Sequence, residues 1–195
     1  MKLQREEVAA SRTRAQYIWN DTPSLLRVLI VCATRAAEVE GRESFSRLTE
    51  SARRAVHRSG AVADVLDLSW INWSQPDGCN ARIRERWLAA HGIVVLAPST
   101  WDTPPSPLKL MVECIADGES GNTESPGRPF GVIVDATTGV ATPDCQHGKL
   151  GALLENLGLF AVESADAGVL ASRVAVAARK LRGTGHLSAA PRVRC

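Results

Sequence analysis

Val28-Leu29-Ile30-Val31 runs into a polar turn at Thr34-Arg35, and Ser44-Phe45-Ser46 then heads an amphipathic stretch. A short continuous apolar run is what a strand covered on both faces requires. A hydroxyl-rich loop entering a helix amino end gathers free N–H groups and the positive end of the helix dipole, a setting for an anion. Two later apolar runs end in similar loops, Pro98-Ser99-Thr100-Trp101 and Thr137-Thr138-Gly139.

Working outward, apolar runs recur at 28–31, 62–66, 93–96, 132–134 and 159–162. Between them, three- and four-residue steps align Phe45, Leu48, Ala52 and Val56; Ile83, Trp87 and Ala90; Leu108, Met111, Val112 and Ile115; Leu150, Leu153, Leu154 and Leu157; and Leu170, Val174, Ala177 and Leu181. Each set forms one apolar helix face. Ser44, Asn80 and Ser106-Pro107 read as helix starts, and Gly60, Gly92 and Gly158 as stops. Strict alternation of strand and helix predicts an α/β three-layer sandwich around a doubly wound, five-stranded parallel sheet. The expected order is 2-1-3-4-5. The loops after the first, third and fourth strands then flank the point where winding reverses, the usual ligand position in such sheets.

The chain of 195 residues, 45% hydrophobic, can bury the core of one domain. Residues 1–24 form a polar N-terminal extension, 25–182 the domain and 183–195 an aperiodic, flexible tail. A formal net charge of +2 points to neither nucleic acid nor a membrane surface. No apolar run has the length of a membrane span, and the first twenty-odd residues lack the apolar core of a secretion signal. Five widely spaced cysteines without a Cys-x-x-Cys pair argue against a disulfide framework and against a zinc or iron–sulfur site. A reducing cytoplasm is the expected compartment.

Several residues admit two readings. Thr34 and Ser44 are either phosphate ligands or turn and cap residues. Trp101 either stacks on a planar ring or caps the sheet end or fills a subunit contact. Glu38, Glu40 and Glu43 oppose an anion unless they point outward. Arg82, Arg84 and Arg86 read as a solvated helix face rather than a dinucleotide contact. His147 and Cys145 read as loop residues, and Trp70 and Trp73 as buried.

At these loops the chain resembles the NAD(P)H-dependent FMN reductases of the flavodoxin-like superfamily. Ala33-Thr34-Arg35 and Ser44-Phe45-Ser46-Arg47-Leu48 match the two halves of that family's phosphate loop, separated by an insertion. Ala97-Pro98-Ser99-Thr100-Trp101 through Pro107-Leu108-Lys109 is similar to its second signature, and Phe130 to Gly139 to its third. The resemblance covers about Leu26 to Val162. It implies a flavodoxin-like fold, FMN and NAD(P)H as cofactors, and hydride transfer from nicotinamide to flavin N5 and on to a quinone-like, azo or flavin acceptor. It further implies a homodimer or homotetramer and no metal. Thr34, Arg35, Ser44 and Ser46 would hold the phosphate. Pro98, Ser99, Thr100, Trp101 and Asp102 would line the ribityl chain and ring, and Thr137, Thr138 and Gly139 would close its far edge. No side-chain acid or base is expected, because the ring does the chemistry. Asp102 and Val140 stand where the family carries glycines. With the acidic first loop, they motivate the alternative of a flavodoxin-like domain that has lost flavin and acts as an interaction or accessory protein in a biosynthetic pathway.

Overall fold

The computed structural model describes residues 25–33, 42–73, 76–98, 106–118, 127–135, 151–152, 154–155, 159–162, 164 and 166–184. Strands β1 (Arg27–Cys32), β2 (Val62–Asp67), β3 (Gly92–Pro98) and β4 (Pro129–Asp135) are all parallel, in the order β2-β1-β3-β4. A two-residue strand β5 (Phe160–Ala161) pairs in parallel with β4 at Pro129 and Phe130. The apolar run expected over 159–162 therefore supplies only a short edge.

The helices α1 (Arg42–Arg58), α2 (Pro76–Ala89), α3 (Ser106–Gly118) and α4 (Ala167–Gly183) cover the sheet, and Gly151, Ala152, Leu154 and Glu155 are helical as well, with Leu154 buried. Strand periodicity sorts the core into two layers. Leu29, Val31, Ile93, Val95, Phe130 and Val132 face α2 and α3. Val28, Ile30, Val94, Leu96 and Ile133 face α1 and α4. Because both faces are covered, β1 and β3 carry unbroken apolar sequence, which is why their runs were legible.

Local chemistry sets the helix ends. Gly60 follows α1 with φ +68°, and its N–H bonds His57 O at 2.9 Å, closing the helix as expected. Ser106-Pro107 opens α3. Three expectations change. α1 starts at Arg42, two residues before Ser44, since Arg42 and Glu43 are themselves good helix formers. α2 starts at Pro76, so Asn80 lies within it; proline fixes the first turn there. Gly92 is the first residue of β3 rather than a helix stop. Gly158 and residues 1–24 and 185–195 lie outside the described residues. Among the described residues, no helix is long and apolar enough to cross a membrane.

Candidate functional site

The chain passes from β1 out to β2, then crosses back over β1 to β3. The winding reverses between β1 and β3, and ligands of such sheets bind outside the carboxyl ends of the strands at that point. Register holds the strand ends level: Cys32 lies opposite Leu96, Leu96 opposite Ile133, and Pro98 opposite Asp135. Ala33 stays tied to this edge through its N–H to Leu96 O, 2.8 Å. At about 4.8 Å per strand, β1 to β4 spans about 10 Å, the width of a fused-ring system.

The amino end of α1 reaches the same edge. Cys32 Sγ shares a 3.4 Å hydrogen bond with Thr49 Oγ1, and the Thr49 hydroxyl donates to Phe45 O at 2.9 Å. Phe45 is buried and anchors the first turns, which leaves Ser46 exposed. The start of a 17-residue helix thus stands beside the end of β1. Burial pushes the Cys32 thiol up to about 11; the Thr49 hydrogen bond works against this, and the charge of Asp67 adds to it. Cys32 is therefore a neutral thiol at pH 7 and supplies no nucleophile.

Of the expected site residues, Pro98 ends β3, and Ser44 and Ser46 lie in the first turns of α1. Thr34, Arg35, Ser99, Thr100, Trp101, Asp102, Thr137, Thr138 and Gly139 lie outside the described residues, as do Cys145 and His147. The donor chemistry that is described fits the phosphate of the cofactor that the resemblance implies. A helix amino end and the exposed Ser46 hydroxyl suit an anion, while Cys32, Ala33 and Ala97 at the strand ends are small and buried.

Other expectations shift at the neighbouring sheet edge. Trp70, expected to be buried, is 81% exposed. Asp67 Oδ1 accepts from Ser69 N at 2.9 Å and caps a 3-10 turn, Leu68–Trp70, that turns Trp70 outward. The Asp67-Leu68-Ser69 cap was the sequence signal for this turn. Trp73 is partly buried against the core, as expected. The three arginines of α2 are not one solvated face. Arg86 donates to Asp64 Oδ2 at 3.1 Å, to Asp64 Oδ1, and to Val65 O at 2.8 Å. Arg84 donates to Cys114 O at 3.1 Å, and Arg82 is exposed.

No protein-family model matches the sequence, and no curated protein matches it either. Solved structures do. FerB, the flavoenzyme NAD(P)H:(acceptor) oxidoreductase of Paracoccus denitrificans, superposes with TM-score 0.61 at 12% identity, over 82% of this chain and 98% of that one. A flavodoxin from the domain Archaea gives 0.54 at 9% identity, over 79% and 99%. The flavodiiron core from Synechocystis gives 0.55 at 12% identity over 89% of this chain, which spans only 40% of that longer protein. With its parallel sheet ordered β2-β1-β3-β4 and helices on both faces, the chain has the flavodoxin-like fold.

Proposed function

We propose that the protein is an FMN-dependent NAD(P)H oxidoreductase acting in the cytoplasm on a small-molecule acceptor of the quinone-like, azo or flavin type. What supports this reading is the reversal of winding between β1 and β3, with α1 packed against the end of β1. FerB, a flavoenzyme of the same fold, is a precedent for the activity class. In this reading Thr34, Arg35, Ser44 and Ser46 hold the phosphate. Pro98, Ser99, Thr100, Trp101 and Asp102 line the ribityl chain and one side of the ring, and Thr137, Thr138 and Gly139 close the other. Bound FMN would supply two-electron chemistry between nicotinamide and acceptor. The chain's own part is placement: backbone N–H groups and Arg35 neutralise the phosphate, and Trp101 offers a flat apolar wall.

The test is uptake. Purified protein mixed with FMN and desalted should retain the visible flavin band, and anaerobic NADPH or NADH should bleach it. Arg35→Ala should weaken FMN affinity by about 1.5–3 kcal/mol while leaving riboflavin, which lacks the phosphate, unaffected. Colourless protein that refuses FMN would overturn the proposal. It would favour the flavin-free accessory domain that Asp102 and Val140 suggest. Yellow protein untouched by either nicotinamide would remove the reductase step.

A further inference from the structure

We propose that the groove between edge strand β2 and α2 is an interface for a second copy of this chain, each copy seating Trp70 in the groove of the other. This assignment stands apart from the flavin reading and gives the expected homo-oligomer a face. The groove encloses about 570 Å³ and is walled by Val65, Ile71, Arg82, Glu85 and Arg86. Trp70 stands at its rim with 81% of its surface exposed. An aromatic knob beside a hole on one face is the self-complementary patch that a two-fold axis requires. A large exposed indole is also the side chain that most often carries such contacts.

Charge selects a second copy over a charged partner. Arg82 and Glu85 are both exposed on α2, and neither makes an ion pair or hydrogen bond among the described residues. They lie three residues apart, about 4.5 Å along the helix axis. A two-fold axis through the midpoint of that interval sets Arg82 of each copy opposite Glu85 of the other, twice over. The two pairs are then complementary across the axis, and Asp67 is a further charge on each groove. Arg86 grips Asp64 and the Val65 carbonyl of β2, which blunts the middle of that sheet edge. The copies therefore join through side chains rather than by strand pairing.

Sedimentation velocity on the full chain, from low to high micromolar concentration, tests this. The wild type should show a monomer–dimer equilibrium, and Trp70→Ala should weaken it at least about tenfold. Arg82→Glu and Glu85→Arg should each weaken dimerisation several-fold, and the double reversal should restore it. All four variants should keep wild-type circular dichroism and thermal midpoints, since these side chains are exposed. A wild type that stays monomeric throughout overturns the proposal and leaves the groove to another partner. So does a dimer indifferent to Trp70→Ala, or a double reversal that fails to recover.

Discussion

Arg128 is a charged side chain packed into the core, only 5% exposed, one residue ahead of β4. Its Nη1 donates to Trp87 O at 2.5 Å and Ala90 O at 3.1 Å, and its guanidinium lies 5.5 Å from the Trp87 ring centroid. Those carbonyls close α2 at its negative end; Trp87 O also accepts from Ala90 N at 3.2 Å. Arg128→Ala takes this charged donor from both carbonyls and removes its packing on Trp87, and a loss of about 2–4 kcal/mol is expected in urea unfolding. Lysine should recover only part, since one ammonium cannot match a planar fork that also stacks. Nearby, burial lowers the pKa of His91 to about 4, assisted by the charges of Arg182, Arg27 and Arg128. Its Nδ1 accepts from Arg27 N at 3.2 Å, a bond that needs that nitrogen unprotonated. Between the ordinary value of 6.5 and 4, the unfolded chain binds a proton that the folded chain refuses. Stability should therefore fall as pH drops through that window and ignore this group above it. Urea midpoints at neutral and mildly acidic pH check this, and His91→Gln should flatten the slope. Neither role was legible in sequence, because the partners of Arg128 lie 41 and 38 positions away and those of His91 on other elements.

Among the elements, α4 is set by the glycines beneath it. A Cβ on Gly131 would lie 2.4 Å from Leu170 Cδ1, and one on Gly92 2.7 Å from Val174 Cγ1. Leu170 and Val174 are fully buried and have no empty space to swing into. Gly131→Ala should accordingly cost about 1–3 kcal/mol through overpacking, read as a lower thermal or urea midpoint. This close approach also explains why the periodic reading of α4 was displaced. Leu170, Val174, Ala177 and Leu181 were expected to mark its apolar face. The buried stripe is instead Ala167, Leu170, Ala171, Val174, Ala175 and Ala178, while Ala177 and Leu181 are half-buried. The glycines make room for Leu170 and Val174, and alanines fill the rest of the stripe; alanine carries too little hydrophobic signal to reveal that in sequence. For α2 and α3 the marker residues Ile83, Trp87, Leu108 and Met111 are large, and every one is buried as read.

On the scale of the whole molecule, the sheet order gives the protein two separate surfaces: the carboxyl ends of β1 and β3 and the outer face of β2. The flavin titration and the sedimentation series probe them independently, and Trp70→Ala should leave FMN uptake unchanged. Covalent sequence alone determined the alternation of strands and helices, the strand positions to within a few residues, and the clustering of hydroxyl-rich loops after three of them. It could do so because hydrophobic periodicity and cap chemistry act over a few neighbouring positions. Tertiary structure decided the rest: which strand ends stand level, that β5 shrinks to two residues, that Arg86 clamps β2, and that Trp70 faces outward. Each of these depends on groups far apart in the chain meeting in space, and no local pattern encodes which of them meet.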